Sequence, residues 1–342
     1  MRALVYQGPK MMSVENWPLS IPGPGEVRIK TKFVGICGSD IHGYLGTTGR
    51  RIAPMVMGHE LSGTVSSIGK EVKGIKLNER VTVQPIINCG YCNYCKEGAI
   101  NICPNREFLG VMQKNGALQE EFCVPAKNIC VLPDNIGFEV GALIEPFAVA
   151  YRAVKQAHPV KNKTIMVCGS GTIGLMVLKV LKLHKAAKVI MIDLSDERLT
   201  LAMQHGADLS INPMKESIDE RLEAEGIRQS INITFEAVGV TATVHQTIQY
   251  VKNKGLIVWV GNSDPMISLN MQQVVTRELH IQGTYVYTDE DFRDSIKLIS
   301  ENNIDFTGII SKKVGLFEAA AIFDVLSMGA GSLIKVLVDV SR

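Results

Sequence analysis

A glycine-rich turn between two apolar runs constrains the fold of this 342-residue chain more than any other feature. Thr164–Cys168 forms the first apolar run, residues 175–183 follow with a helical period, and Lys188–Ile192 forms the second run. A strand, a crossover helix and a second strand are the repeating unit of a doubly wound α/β sheet. The sequence therefore predicts a parallel sheet flanked by helices in the second half of the chain.

The turn itself has the pattern Gly169-x-Gly171-x-x-Gly174, and Asp193 follows at the end of the next predicted strand. The first glycine permits the tight turn, the second lets the backbone approach a pyrophosphate, and the third allows close helix packing. Asp193 suits the adenosine ribose hydroxyls and would repel a 2′-phosphate, which favours NAD over NADP. Arg198 opposes that preference, because an arginine can pair with a phosphate. The alternative is a glycine loop that binds no nucleotide.

The first half of the chain has the texture of β structure. Residues 27–33 alternate between apolar and polar side chains, which predicts a half-buried strand, and glycines interrupt the stretch that follows. Near the end, helix-like segments at 291–301 and 317–328 precede a final apolar strand at 334–340, which we expect to return to the first domain. The predicted domains are residues 1–150 together with 285–342, and residues 151–284.

Composition excludes several classes of protein. With 36 basic and 34 acidic side chains the net charge is only +2, whereas a nucleic-acid-binding protein usually has a strong basic excess. Eight cysteines are too few for a disulfide-built secreted domain of this length. The first residues are too short an apolar run for a signal peptide, and no uninterrupted run reaches the roughly 18 apolar residues of a membrane span. We therefore expect a cytoplasmic enzyme with reduced thiols and a small-molecule substrate.

Four of the cysteines form one cluster, Cys89-x2-Cys92-x2-Cys95-x7-Cys103. Four thiolates can surround one zinc ion in a tetrahedron, and a site with every ligand supplied by protein is closed, hence structural. The alternatives are a redox pair or disulfides. A nucleic-acid-binding zinc ribbon would need paired Cys-x2-Cys knuckles and a basic surface.

A second group supplies one thiolate, one imidazole and carboxylates, which suits a catalytic zinc with an open position. Its members are Cys37, His59, Glu60 and Glu145. Asp40 is expected to accept the other imidazole N–H of His59 and so to set its tautomer. Taken singly, each residue has an ordinary interpretation: a cysteine near glycine usually lies in a core, and a His-Glu pair usually lies on the surface.

Together these residues resemble one family, the zinc-containing medium-chain dehydrogenases, in the branch of sorbitol, threonine and sugar-acid dehydrogenases. Gly58-His59-Glu60-x2-Gly63-x5-Gly69 is similar to the family's zinc signature, and it occurs with Cys37-Gly-Ser-Asp-x-His, the cysteine cluster and the glycine turn in the family's order. The resemblance covers essentially the whole chain. It implies an α/β plus β fold, in which a Rossmann domain is inserted into a GroES-like β-barrel catalytic domain.

The resemblance also implies roles for individual residues. Cys37, His59 and Glu60 match the ligands of the catalytic zinc. Glu145 matches a catalytic carboxylate that borders the metal and can replace Glu60 or hold the zinc-bound water. A proton relay to solvent is implied for Ser39 and His42. Further cofactor contacts are implied for Ile173, Asp193, Arg198, Val260, Gly261 and Asn262. The resemblance implies a homodimer or homotetramer.

The substrate is the least constrained part. Compared with the pattern of sorbitol dehydrogenases, Tyr287 matches a polyol-contacting position. Val286, however, stands where that pattern has arginine, and Gly43 stands where it has tyrosine, so sorbitol itself is not predicted. Arg50 and Arg51 would suit an acidic end group, unless they are simply a solvated pair.

Residues 108–120 and 142–147 resemble dehydrogenases of sugar acids such as galactonate, gulonate or idonate. We therefore expect NAD+-dependent oxidation of a secondary alcohol, in a polyol, sugar acid or sugar phosphate, to a ketone. One alternative is L-threonine 3-dehydrogenase, which shares the zinc segments. The other is a non-catalytic zinc- and nucleotide-binding sensor.

Overall fold

A computed structural model describes residues 1–329 and 333–342 of the chain. The chain divides into two compact units, one made of Met1–Glu145 with Tyr287–Arg342 and the other of Pro146–Val286. None of the helices in the described ranges is long and apolar enough to cross a membrane.

The first unit begins with a series of strands and short helices. The strands are β1 (Arg2–Gly8), β2 (Met11–Asn16), β3 (Glu26–Gly35), β4 (Met55–Val56), β5 (Glu60–Ile68), β6 (Arg80–Val83), β7 (Ile86–Ile87), β8 (Glu107–Leu109), β9 (Gln113–Lys114), β10 (Glu121–Pro125) and β11 (Ile129–Val131). The helices are α1 (Gly38–Tyr44), α2 (Asn93–Lys96) and α3 (Phe138–Gln156), which runs across the division between the units.

The second unit alternates strands and helices. Its strands are β12 (Thr164–Cys168), β13 (Lys188–Ile192), β14 (Leu209–Ile211), β15 (Ile233–Glu236), β16 (Leu256–Trp259) and β17 (His280–Gly283). Its helices are α4 (Thr172–Leu183), α5 (Asp196–Gln204), α6 (Ile218–Ala224), α7 (Thr241–Tyr250) and α8 (Met271–Thr276). The six strands form one parallel sheet in the order β14-β13-β12-β15-β16-β17, which confirms the predicted doubly wound sheet.

The tail completes the first unit with α9 (Asp289–Asn302), β18 (Ile310–Gly315), α10 (Leu316–Ser327) and β19 (Lys335–Asp339). Strand β19 pairs antiparallel with β3 and parallel with β18, so the end of the chain lies inside the seven-stranded sheet β11-β6-β5-β3-β19-β18, to which β10 adds on β3. Strand β3 has the predicted alternation, because Val27, Ile29 and Thr31 are buried between more exposed neighbours.

The first half of the chain, for which β structure is predicted, also contains the helices α1, α2 and α3. Helix α1 begins directly after Cys37, where the Asp40 carboxylate accepts a hydrogen bond from the Cys37 N–H at 3.1 Å. A carboxylate that caps the first turn satisfies a donor that would otherwise lack a partner. Helix α1 is only seven residues long, which is too short for a helical period to be recognised in the sequence.

Candidate metal centres and active site

The four clustered cysteines converge in the loop segment around α2. Their sulfur atoms lie 3.4 Å apart for Cys92 and Cys95, 3.5 Å for Cys103 and Cys89, and 3.8 Å for both Cys89–Cys95 and Cys92–Cys103. A zinc–sulfur bond of about 2.3 Å gives tetrahedron edges of about 3.8 Å, so the sulfur positions fit a zinc ion closely. All eight cysteines lie in the described part of the chain and carry free thiols.

The electrostatics of this cluster favour a bound cation. Partial burial opposes ionisation of Cys89, but the backbone N–H groups of Tyr91 and Cys92 and neighbouring thiols lower its pKa to about 6. For Cys92 a backbone N–H of Cys95 favours the thiolate, yet burial and the other thiols raise its pKa to about 12. Four thiolates cannot be held together at neutral pH without a positive ion among them, which zinc supplies.

A second cluster forms where α1 and β5 begin. Ligand atoms of Cys37, His59 and Glu60 all lie within 4.8 Å of one another, and the histidine and glutamate are buried. Gly35, paired with Glu60 in the sheet, leaves room for this carboxylate, because a Cβ on Gly35 would lie 2.1 Å from Glu60 Oε2. A thiolate, an imidazole and a carboxylate in one place form the donor set of a catalytic zinc site with an open position.

Asp40 lies behind the histidine. Its Oδ1 is 3.4 Å from His59 Nδ1 and accepts a hydrogen bond from Arg51 Nη2 at 2.8 Å. Burial alone would raise the pKa of Asp40, but His59, Arg51 and the Cys37 N–H together hold it far below its ordinary value. An ionised Asp40 at Nδ1 leaves Nε2 of the imidazole for a metal.

Sequence reasoning missed Lys335, which pairs with Glu60. Its Nζ donates to the two carboxylate oxygens of Glu60 at 2.7 and 2.6 Å and to the Ile36 carbonyl at 2.9 Å. Burial lowers the pKa of Lys335, but Glu60 and the Cys37 thiol outweigh that effect and raise it. The apolar strand pattern around Lys335 contained a signal, because a lysine in a fully buried strand needs an acidic partner.

Glu145 lies outside the cluster of three ligands. Its Oε1 accepts a hydrogen bond from the Tyr287 hydroxyl at 2.7 Å. Burial raises the pKa of Glu145 to about 7, and the Glu60 carboxylate adds to that rise, while His59, Tyr287 and Lys335 oppose it. Of the two carboxylates implied for the metal, the structure therefore groups Glu60 with Cys37 and His59 and leaves Glu145 beside them.

Ser39 and His42 occupy positions i and i+3 of α1 and therefore share a face of the helix. Ser39 is exposed and His42 is half-buried. The Ser39 hydroxyl also lies 3.4 Å from Arg51 Nη2.

Two predicted substrate contacts have other partners. Arg51 is neither solvated nor open to a ligand, because its side chain is 1% exposed and paired with Asp40. Tyr287 has no exposed surface, and its hydroxyl is bonded to Glu145. In both cases the buried carboxylate needs a donor, and that need decides the side chain's direction. Arg50 alone of the three is exposed.

The glycine turn has the geometry that its pattern predicts. Gly169 has a positive φ of 101°, and a Cβ on Gly174 would lie 1.8 Å from the Gly169 carbonyl oxygen, so the third glycine is required for packing. A Cβ on Gly171 would meet nothing within 4 Å, which leaves open space at the N-terminus of α4. Asp193 accepts hydrogen bonds from Ser170 N at 2.6 Å and Ser195 N at 2.9 Å.

The loop after β16 lies at the same end of the sheet as the glycine turn, where the strands have their carboxyl ends. Positions 239 and 261 are in close contact, because a Cβ on Gly261 would lie 2.2 Å from Gly239 N. Ile173, Val260 and Gly261 are half-buried and Asn262 is exposed, while Arg198 lies in the first turn of α5. Because the sheet is parallel, the carboxyl ends of β12, β13 and β16 lie at one end of the sheet and bring these segments together there. Nucleotides bind at this end in such folds.

Comparison with known proteins agrees with this geometry. Residues 23–134 match the alcohol dehydrogenase GroES-like domain, and residues 172–301 match the zinc-binding dehydrogenase domain. Sorbitol dehydrogenase of Ovis aries is 34% identical over an alignment of 343 positions, which covers 99% of this chain and 97% of the sheep protein. The chain belongs to the zinc-containing medium-chain dehydrogenases.

Other members of this dehydrogenase family are also similar along their whole length. Probable D-xylulose reductase A of Aspergillus fumigatus is 32% identical, covering 98% of this chain and 96% of the fungal protein. The crystal structure of galactitol-1-phosphate dehydrogenase from Escherichia coli has a TM-score of 0.91 at 26% identity, covering 99% of this chain and 100% of that one. As a medium-chain dehydrogenase, the protein is an oxidoreductase that uses zinc and NAD(H).

Proposed function

We propose that this enzyme oxidises a secondary hydroxyl of a polyol, sugar acid or sugar phosphate to a ketone, with NAD+ as the acceptor. The convergence of Cys37, His59 and Glu60, with Ser39 two residues from the thiol, carries the proposal. The names of the similar proteins point to polyhydroxy compounds, namely sorbitol, D-xylulose and galactitol 1-phosphate. Each of these contains a secondary alcohol or the corresponding ketone.

We propose that Cys37, His59 and Glu60 hold the catalytic zinc, and that the four-cysteine cluster holds a structural one. When bound at such a site, zinc supplies Lewis-acid chemistry that lowers the pKa of an alcohol hydroxyl. The chain's own residues then move the proton: Ser39 accepts it and passes it along α1 toward His42 and solvent. Asp40 keeps His59 in one tautomer throughout, and Lys335 balances the charge of Glu60.

NAD is the proposed cofactor rather than NADP. The nicotinamide ring is the hydride acceptor, and the turn at Gly169, Gly171 and Gly174 would receive the pyrophosphate at the N-terminus of α4. The backbone N–H groups of Ser170 and Ser195 hold the Asp193 carboxylate directly after β13. A carboxylate at this position repels a 2′-phosphate.

Recognition of an acidic substrate group has only one remaining cation among the predicted contacts. Arg51 is committed to Asp40, so Arg50 is the residue that we assign to a carboxylate or phosphate end group. Substrate hydroxyls need no cation, and polyols therefore remain within the proposed class.

We further propose that the enzyme works in the reducing cytoplasm as a homo-oligomer. Free thiols throughout the described residues support the compartment. Edge strand β17 supports the assembly, because its residues are mostly exposed while edge strand β14 is mostly buried. Helix α8, just before β17, exposes Met271 and Val275 at 70% and 61%, and an exposed strand edge with apolar neighbours favours pairing with a second copy.

A substrate panel tests the proposed activity. NADH formation is measured with polyols, sugar acids, sugar phosphates and L-threonine, with NADP+ as a second acceptor. Activity confined to L-threonine would overturn the proposed substrate class. Metal analysis tests the mechanism, and about two zinc ions per chain are expected. A parent protein that holds only one ion, and loses it in the Cys92→Ser variant, would show that the Cys37 cluster is empty, as in a non-catalytic sensor. Cys123→Ser, outside either cluster, is the control.

A further inference from the structure

Arg51 is a buried charge that the proposed chemistry does not use directly. Its side chain and that of Asp40 are each 1% exposed, and they are joined by a hydrogen bond of 2.8 Å. Its Nε has no hydrogen-bond partner among the described residues. Replacing a buried ion pair with apolar side chains of similar volume is often neutral or stabilising. Stability therefore does not explain why a charged pair occupies this place.

The surroundings of the pair point to the metal ligands. Asp40 Oδ1, which binds Arg51, lies 3.4 Å from Nδ1 of His59. The other oxygen of Asp40 accepts the N–H of Cys37 at 3.1 Å. One carboxylate is therefore connected to two of the three clustered ligands, and Arg51 is the cation that holds this carboxylate from behind.

Helix α1 is shaped to admit the arginine. A Cβ on Gly43 would lie 1.9 Å from Arg51 Cδ and 2.3 Å from its Nε. Gly43 does not have a positive φ, so this position requires glycine for space and not for backbone conformation. An alanine would force Arg51 to shift, although the helix itself would accept it readily.

We propose that Arg51 is a positioning residue, which acts through Asp40 to hold His59 and Cys37 in ligand geometry. Gly43 leaves room for the Arg51 side chain because it has no Cβ. This inference rests on the proposed zinc site at Cys37, His59 and Glu60. Partners behind a metal ligand fix its ring orientation, and their loss typically costs about 10–100-fold in metal affinity or activity. Gly43 and Arg51 therefore act together, and a substitution at either position alone should loosen the same two ligands.

Zinc release tests the proposal on the zinc-loaded enzyme, with the chromogenic chelator 4-(2-pyridylazo)resorcinol as the probe. The parent protein is expected to release two ions in separate phases, and the four-cysteine ion serves as a reference within the same molecule. Arg51→Met should accelerate the Cys37-site phase by about 10–100-fold and leave the other phase unchanged. Arg51→Lys, which keeps a positive charge, should restore part of the slow release. Arg50→Met, the same change at the exposed neighbour, should alter neither phase.

Gly43→Ala provides a second route if Arg51→Met fails to fold. It should accelerate the same phase, and it should have no further effect in the Arg51→Ala background, where the colliding side chain is absent. Release that is unchanged in folded Arg51→Met, or additive effects in the double variant, would overturn the positioning role. A parent protein that holds only the four-cysteine ion would instead overturn the proposed catalytic site.

Discussion

At the scale of single residues, buried carboxylates organise the candidate site. Asp40 and Glu60 are each almost completely buried, and each is paired with a buried cation, Arg51 and Lys335 respectively. The residue types of the ligands are recognisable in the sequence because a cysteine, a histidine and a glutamate near glycines form a zinc pattern. Their cationic partners were not predicted, since Lys335 is 275 positions from Glu60.

Lys335→Met should destabilise the protein strongly, because it leaves the Glu60 carboxylate buried without a cation. The expected loss in the free energy of unfolding is about 3–5 kcal/mol. The matched control is Lys32→Met, whose ion pair with Asp339 is at 3.2 Å and whose side chain is 37% exposed. Its expected cost is about 0–1 kcal/mol.

The comparison uses urea unfolding of the parent and both variants after removal of zinc with a chelator. Without zinc, no metal can take the place of the lysine beside Glu60. Equal costs for the two lysine variants would contradict the expected penalty for a Glu60 carboxylate that is buried without a cation.

At the scale of elements, local segments were predicted well and isolated short helices were not. The four-cysteine cluster spans residues 89–103, so its spacing alone contains the geometry of the site. The unit from β12 through α4 to β13 has a strong period and a glycine turn, and the structure confirms it. Helix α1 has too few residues for a period, and its position depends on the Asp40 cap.

Two glycines of the turn should respond differently to alanine. Gly174→Ala places a methyl group against the Gly169 carbonyl oxygen, 1.8 Å away, and should destabilise the protein by about 1–3 kcal/mol through overpacking. Gly171→Ala meets nothing within 4 Å and has a φ of −72°, so stability should be retained. Its methyl group would occupy the space proposed for the pyrophosphate, and the Kd for NADH should rise.

Thermal unfolding without cofactor measures the first effect, and fluorescence titration with NADH measures the second. Each variant serves as the control for the other. Tight NADH binding by a stable Gly171→Ala variant would argue against the pyrophosphate at this turn.

At the scale of the whole molecule, the order of strands decides which residues meet. The tail strand β19 lies between β3 and β18, which brings Lys335 beside Glu60. In the other unit, the strand order places β17 at one edge of the parallel sheet. His280 and Thr284 donate their N–H groups to the Gly255 and Trp259 carbonyls, so the alternation of a strand directs the N–H of Ile281 away from the sheet.

Ile281→Pro should therefore weaken assembly without unfolding the chain. Proline removes the outward N–H of an edge strand and leaves the inward ladder intact. The proposed homo-oligomer should shift to a smaller species in size-exclusion chromatography with light scattering, while the far-ultraviolet circular dichroism stays the same. The control is Gln282→Pro, which removes an inward N–H and should lower the thermal midpoint. An unchanged oligomer in folded Ile281→Pro would exclude this edge as the interface.

The sequence by itself determined the class of fold and indicated the donor types of the candidate site. Ligand types, the cysteine spacing and the glycine turn depend on residues within about one supersecondary unit, and local physics acts at that range. Only the tertiary structure decided the partners of Glu60, Asp40 and Glu145, because a buried charge takes the nearest available donor in space. That donor is set by strand order and by a missing Cβ at Gly43, neither of which has a local signature. For the same reason Arg51, predicted as a substrate contact, lies behind the candidate metal ligands instead.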